Sequence, residues 1–222
     1  MAVNDIAENY RTIRDSIPHY VKIVAAAKTR SAEEVGALID AGASMVGENY
    51  VQEAEDKHAA LGEKADKVEW HMIGHLQKNK INKALPIFDV FQCVDSAKLA
   101  RHLNKRADRI LPVYIEVNIA GEDSKYGIEP SRTRELARRI CELPKLRLEG
   151  LMTMEPYFED PEEARPYFRH MRALFERLRE ETLPGASLDV LSMGMTNSYE
   201  VAVQEGSNMV RLGTALFGPR EH

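Results

Sequence analysis

A lysine follows the first predicted strand of the chain, and its position suits nucleophilic chemistry. Lys28 comes directly after residues 21–27, a run of mostly small and β-branched residues that predicts a buried strand. An amine that is partly desolvated at a strand end is pushed toward its neutral form, which attacks carbonyl groups to form a Schiff base. A lysine that simply extends into solvent is the alternative, since the chain contains 30 lysine and arginine residues.

Two later strand ends carry groups that suit a phosphate. Residues 192–198 combine a glycine with hydroxyl and amide side chains, and Gly213 and Thr214 follow the last predicted strand. In barrels of parallel strands, phosphates bind between the loops after strands seven and eight, through backbone N–H groups and short hydroxyls. Each glycine alone could instead serve a turn. A phosphate-bearing aldehyde such as pyridoxal 5′-phosphate (PLP) would fit a lysine and a phosphate site that lie side by side.

The order of apolar runs predicts the scaffold that would bring these groups together. Eight short runs alternate with helical segments at intervals of roughly 30 residues, the length of one strand–helix unit. The runs cover residues 21–27, 44–46, 68–73, 88–94, 112–117, 147–152, 188–191 and 208–212. This alternation predicts an α/β fold, a closed (β/α)8 TIM-type barrel, in which the first strand lies beside the last.

Start signals and apolar stripes support the helical segments. An extra N-terminal helix is expected to present Ile6, Ile13 and Ile17 on one face. Residues 31–34 (SAEE) have the spacing of a capping box, and residues 160–163 (DPEE) predict a second helix start with a proline at its first position. Because no linker interrupts the series, residues 1–222 are expected to form a single domain.

Composition and charge exclude several classes of protein. The chain is 44% hydrophobic and 29% charged with a net charge of −5, which is typical of a globular protein and argues against a nucleic-acid-binding role. No apolar run is long enough for a membrane span, and residues 1–16 do not look like a secretory signal. Two cysteines without zinc-ligand spacing predict neither a disulfide framework nor a metal site. A cytoplasmic protein is expected.

Five segments resemble the pyridoxal phosphate homeostasis protein family. They are VAAAKT (24–29), GENYVQE (47–53), WHMIGHLQ (70–77), LSMGM (191–195) and VRLGTALFG (210–218). The segments span nearly the whole chain and keep the order of the family. The resemblance implies the barrel of the alanine racemase N-terminal domain and PLP as the cofactor.

The same resemblance implies eight cofactor-binding residues and no catalytic residue. Lys28 would hold PLP as a Schiff base. Arg211 would face the pyridine nitrogen, and its guanidinium, which only donates, would leave that nitrogen unprotonated and weaken the ring as an electron sink. The other six would hold the rest of the cofactor: the phosphate by Ser192, Thr196, Gly213 and Thr214, and the ring by Asn49 and Met193.

The chain departs from the family pattern at two positions of the phosphate loop. Family members commonly have a serine at position 196 and an aspartate at position 198, where this chain has Thr196 and Ser198. Thr196 keeps a hydroxyl, whereas Ser198 lacks the carboxylate.

Lys125 is a second candidate for the Schiff base, although its hydrophilic loop would keep its amine charged. His71 and His75 are interpreted as structural or rim residues.

Three functions are compatible with these residues. The favoured one is a monomeric protein that holds PLP and passes it to apo forms of PLP-dependent enzymes without turning over amino acids. It is favoured because the chain ends at His222 after the eighth unit, so a covering domain with a second base is expected to be absent. The alternatives are a small fold-type III PLP enzyme, an amino-acid racemase or decarboxylase, and an aldolase-like or phosphosugar barrel enzyme without PLP.

Overall fold

The computed structural model describes residues 3–122, 126–181 and 183–219 as alternating helices and strands. The strands are β1 (Lys22–Ala26), β2 (Met45–Glu48), β3 (Glu69–Met72), β4 (Val90–Val94), β5 (Leu111–Val117), β6 (Leu146–Thr153), β7 (Val190–Ser192) and β8 (Met209–Leu212). The helices are α1 (Val3–Ser16), α2 (Ala32–Asp40), α3 (Val51–Leu61), α4 (Ile81–Ala84), α5 (Ala97–Arg106), α6 (Thr133–Cys141), α7 (Arg165–Arg179), α8 (Tyr199–Gln204) and α9 (Thr214–Phe217). Each predicted strand is present.

The strands close into a parallel barrel in the order β1 to β8, and β1 pairs with β8. The register joins Lys22 to Met209 and Ala25 to Leu212, so the ends of the first and last strands lie side by side. The predicted (β/α)8 barrel is confirmed. The N-terminal helix α1 is also present and packs against α2 and α9.

Local signals explain where the helices begin. Ser31 accepts a hydrogen bond from the Glu34 N–H, and the Glu34 carboxylate accepts one from the Ser31 N–H, which is the predicted capping box. The second predicted start is present, because the Asp160 side chain accepts a hydrogen bond from the Glu162 N–H at 3.0 Å and Pro161 is the first residue of the helical turn. That turn is a 3-10 helix over residues 161–164, and the regular α-helix α7 begins only at Arg165. Pro166 accounts for this: it lacks an N–H and is tolerated only in the first turn of an α-helix.

The barrel interior is apolar in part and polar in part. Val24, Ile73, Val90, Tyr114, Met152, Val190 and Met209 form a buried cluster inside the barrel. Since side chains alternate along a strand, residues two positions from these members also face inward. Five of those positions carry buried polar side chains: His71, Gln92, Glu116, Ser192 and Arg211. The larger apolar core lies between the strands and the helices.

The described residues contain neither a membrane-spanning helix nor a cluster of three side chains that could hold a metal ion. None of the helices in residues 3–122, 126–181 and 183–219 has the length and apolar character that crossing a membrane requires. Over the same residues, no three side chains among His, Cys, Asp and Glu converge in a way that could hold a metal ion.

Candidate functional site

A cavity of about 570 Å³ lies at the carboxyl ends of the strands. Its wall is formed mainly by residues that follow β1, β2, β3, β6, β7 and β8, as expected for a barrel of this class. Six of the eight predicted site residues line it: Lys28, Asn49, Thr196, Arg211, Gly213 and Thr214. The structure therefore brings the lysine, the arginine and the hydroxyl-bearing loops to one place.

The remaining two predicted residues, Ser192 and Met193, do not line this cavity. Both are fully buried. The Ser192 hydroxyl donates to Gln92 Oε1 at 2.8 Å and accepts from Arg211 Nη1 at 2.8 Å, so its single hydrogen is already used. The side chain of Met193 packs in the core outside the barrel. The structure therefore does not place the side chain of Ser192 at the predicted phosphate site or that of Met193 at the predicted ring site.

The first and last strand–helix units are joined at the cavity. Arg30, two residues after Lys28, donates to the carbonyl oxygens of Phe217 and Gly218 at the end of α9. Its guanidinium also lies 5.4 Å from the ring centre of Phe217. Together with the β1–β8 pairing, these contacts hold Lys28 and Thr214 at the same rim of the barrel.

The charges and donors of the cavity suit an anionic ligand. Lys28, Arg30 and Arg211 contribute three cationic side chains to its wall, and Glu155 contributes a carboxylate. Thr196 Oγ1 accepts from the Ala215 N–H at 3.2 Å, which leaves the hydroxyl hydrogen to donate to a ligand. Residues of this kind fit the phosphate of PLP.

Arg211 is held rigidly although it lies in the cavity wall. Its side chain donates to Ser192 Oγ at 2.8 Å and to the Thr153 carbonyl oxygen at 2.6 Å. Burial lowers the pKa of the guanidinium, and the carboxylates of Glu155 and Glu116 oppose that shift. Arginine stays protonated in proteins, so this group can only donate to a ligand.

A chain of hydrogen bonds crosses the barrel interior and ends on Arg211. Because Arg211 donates to Ser192, the Ser192 hydroxyl must donate to Gln92 Oε1, and the Gln92 amide N–H₂ therefore faces His71 Nδ1 at 2.8 Å. His71 Nδ1 is then the acceptor, and Nε2 carries the hydrogen that Glu69 Oε1 accepts at 2.7 Å. We call these five residues the interior chain. Sequence reasoning missed Gln92, whose signal was a lone amide in the apolar strand β4.

Comparison with known proteins places the chain among relatives of matching length. The sequence pattern of the alanine racemase N-terminal domain matches residues 2–221. The pyridoxal phosphate homeostasis protein of Pasteurella multocida is 40% identical, over 98% of this chain and 98% of the relative. The protein of the same name from Escherichia coli K12 is 37% identical, over 99% of both chains. The chain belongs to the pyridoxal phosphate homeostasis protein family.

Solved structures agree with this assignment. PipY of Synechococcus elongatus with PLP bound superposes with a TM-score of 0.86 at 32% identity, covering 96% of this chain and 100% of PipY. The alanine racemase of Corynebacterium glutamicum superposes with a TM-score of 0.80 at 16% identity and shows the shared fold alone. The superposition covers 98% of this chain but only 62% of that racemase.

Ser198, where the chain departs from the family pattern, is hydrogen-bonded to a carboxyl group that also lines the cavity. Ser198 Oγ accepts from the Met195 N–H at 3.1 Å and donates to Glu155 Oε1. Glu155 is 3% exposed, and its Oε2 has no hydrogen-bond partner among the described residues. A carboxylate is therefore present beside position 198, although it comes from the loop after β6. Sequence reasoning did not single out Glu155.

Glu116 is a second buried carboxyl group that sequence reasoning missed. It faces the barrel interior from β5 and is 2% exposed. Burial raises its pKa from 4.5 to about 7, Asp95 adds to the rise, and Arg211 opposes it. Its Oε2 has no hydrogen-bond partner within the described part of the chain. With a pKa of about 7, the Glu116 carboxyl group changes its charge near neutral pH inside the barrel, beneath the cavity.

Neither of the two histidines named from the sequence lines the cavity. His75 stacks on Tyr126, with ring centres 4.1 Å apart, and its Nδ1 lies 3.8 Å from Asp95 Oδ2. His71 belongs to the interior chain. Lys125, the second candidate for the Schiff base, lies outside the described residues.

Proposed function

We propose that this chain binds PLP in the cavity and serves PLP homeostasis by holding the cofactor and passing it on. One observation carries the proposal: Lys28 and the loops after β7 and β8 line the same cavity. The family assignment adds to it, because the relatives of matching length are pyridoxal phosphate homeostasis proteins.

Each residue of the site has a part in holding the cofactor. Bound there, PLP would supply an aldehyde, and Lys28 would hold it covalently through its amine. Thr196 and Thr214 would donate hydroxyl hydrogens to the phosphate, and Gly213 would let the main chain approach it. Asn49 would line the ring. Arg211 would face the pyridine nitrogen, to which a guanidinium can only donate.

We propose that the protein does not turn over amino acids. An unprotonated pyridine ring is a weaker electron sink than a pyridinium, so the geometry around Arg211 would restrain carbanion chemistry at a bound substrate. The recipients of the cofactor would be apo forms of PLP-dependent enzymes. Cys93 and Cys141 are free thiols, which supports a reducing compartment such as the cytoplasm. We expect a monomer, which the mass in solution would test.

The decisive experiment identifies the lysine to which PLP is attached after borohydride reduction; this attached PLP is the label. The purified protein is incubated with PLP, its absorbance is recorded before and after borohydride reduction, and the reduced peptide is located by mass spectrometry. We expect the label on Lys28 and its loss in Lys28→Ala. A label on Lys125 would refute the assignment, and no spectral change with PLP would favour a barrel enzyme without this cofactor.

Two further measurements test the rest of the proposal. Replacing Thr196 and Thr214 with valine should speed the release of PLP while the label on Lys28 persists, and an unchanged release rate would contradict the phosphate assignment. Saturable turnover of a free amino acid by the wild type, lost in Lys28→Ala, would establish a racemase or decarboxylase instead.

A further inference from the structure

The two peptide groups that flank Lys28 are both held by side chains of α3. Lys57 Nζ donates to the Ala27 carbonyl oxygen at 2.7 Å, and Glu53 Oε2 accepts from the Thr29 N–H at 2.8 Å. Because a peptide group is planar, fixing one atom of each group restrains the planes on both sides of the Lys28 Cα. The direction of the Cα–Cβ bond of Lys28 is thereby set from α3.

The two α3 side chains are held by each other and by Glu48. Glu53 and Lys57 are one helical turn apart, and Lys57 Nζ lies 3.3 Å from Glu53 Oε2 and 2.5 Å from Glu48 Oε1. The ammonium of Lys57 has three donors, and they match these two carboxylates and the Ala27 carbonyl. We call Glu48, Glu53 and Lys57 the α3 clamp.

Burial makes the α3 clamp a costly arrangement. Lys57 is 6% exposed and Glu48 is fully buried. Glu48 Oε2 has no hydrogen-bond partner among the described residues. Buried ion pairs are often no more stabilising than apolar side chains of similar volume. Apolar side chains could not, however, form the two hydrogen bonds to the main chain around Lys28.

The backbone after Lys28 adopts a conformation that must be held in place. Thr29 has φ of 65°, and no other non-glycine residue in the described ranges has a positive φ. A β-branched residue is strained there and keeps such a conformation only where its surroundings enforce it. The bond from the Thr29 N–H to Glu53 supplies that restraint. If it is lost, the peptide group between residues 28 and 29 can rotate and take the lysine with it.

We propose that Glu53 and Lys57 are positioning residues that direct Lys28 into the cavity for reaction with the cofactor aldehyde. They do not touch the ligand and act only through the main chain. This inference rests on the proposed function, because the direction of Lys28 matters only if its amine takes the cofactor. Neither residue was singled out from the sequence.

The test separates capture by Lys28 from binding of the cofactor. Capture is the rate at which borohydride-trapped PLP accumulates on the Lys28 peptide, and binding is the affinity for pyridoxine 5′-phosphate, which has the ring and phosphate but no aldehyde. For Lys57→Met we expect capture to slow by about tenfold or more, because a misplacement of 1 Å can cost about a hundredfold in rate. The affinity for pyridoxine 5′-phosphate should stay within about twofold of the wild-type value, since Lys57 does not line the cavity.

Glu55→Gln is the matched control. Glu55 also lies on α3 and pairs with a lysine, Lys83, at 3.0 Å, but that pair is exposed and does not contact the main chain around Lys28. Its capture rate should equal that of the wild type. Should Lys57→Met fail to fold, Glu53→Gln decides the matter, because it keeps the shape of the side chain and weakens the bond to the Thr29 N–H.

A rescue distinguishes positioning from a general structural effect. Glycine adopts φ of 65° without strain, so adding Thr29→Gly to Lys57→Met should restore at least part of the lost capture rate. Wild-type capture by Lys57→Met and Glu53→Gln would overturn the inference, as would equal losses of capture and of affinity for pyridoxine 5′-phosphate. A wild-type protein with no label on Lys28 would instead refute the proposed function.

Discussion

Replacing Glu116 with glutamine probes the electrostatics of the barrel interior beside Arg211. Burial raises the pKa of Glu116 from 4.5 to about 7. Between these values the folded protein keeps a proton that the unfolded chain releases, so folding becomes less favourable as the pH rises. The contribution of Glu116 to stability is full below pH 4.5 and is lost as the pH rises through about 7. A shift of this size corresponds to roughly 3 kcal/mol.

The glutamine variant should remove this dependence because it carries no charge at any pH. Relative to the wild type, the free energy of unfolding of Glu116→Gln should rise by roughly 2 to 3 kcal/mol between pH 5 and pH 8. The larger part of that gain should appear between pH 5 and pH 7. Denaturant unfolding of both proteins at pH 5, 6, 7 and 8 measures the difference directly.

Glu135→Gln provides the control. Glu135 lies on the exposed face of α6 and pairs with Arg139 at 2.8 Å, where an ion pair contributes little. Its unfolding free energy should follow the wild type within about 0.5 kcal/mol at every pH. If Glu116→Gln also follows the wild type at every pH, Glu116 is not a desolvated carboxyl group, and the description of the interior beside Arg211 is wrong.

Three further substitutions test separate parts of the site. Gln92→Leu breaks the interior chain and should weaken PLP binding by about tenfold through Arg211, as measured by fluorescence titration; unchanged affinity would show that the arginine needs no such support. Ser198→Asp should destabilise the protein by about 1 to 3 kcal/mol because it faces the Glu155 carboxylate, and adding Glu155→Ala should recover most of that loss, whereas additive losses in thermal unfolding would contradict the pairing. Gly74→Ala should lower stability by about 1 to 3 kcal/mol, since its Cβ would lie 2.5 Å from a main-chain oxygen of the loop after β2; a wild-type melting temperature would contradict that close approach.

The strands and their ends could be predicted because they depend on short stretches of sequence. An apolar run of five to eight residues indicates a buried strand, and the residue after it lies at the rim of the barrel whatever the rest of the chain does. Lys28, Gly213 and Thr214 were predicted in this way, whereas Asn49 and Arg211 were implied by the family resemblance. The start signal at residues 160–163 was also local, although Pro166, three residues after Glu163, makes the first turn a 3-10 helix before α7 begins at Arg165.

The buried polar residues could not be predicted because their partners are distant in the sequence. Ser192 and Gln92 are 100 positions apart and meet only through the registers of the strands between them. Ser192 was therefore assigned to the phosphate, whereas its hydroxyl accepts a hydrogen bond from Arg211 inside the barrel. Glu155, which is hydrogen-bonded to Ser198, lies 43 positions away from it in the sequence. An isolated polar residue in an apolar strand was the available signal.

The site has two supports that share no residue. The interior chain fixes Arg211 from inside the barrel, through β3, β4 and β7. The α3 clamp fixes Lys28 from outside the barrel, through the main chain after β1. Because residues without common partners contribute nearly independently, the grip on the ring and the capture of the aldehyde can be adjusted separately. On the proposed function, such independence would suit a protein that both holds and releases PLP, since the contacts to the ring could change without altering the direction of Lys28, and the reverse.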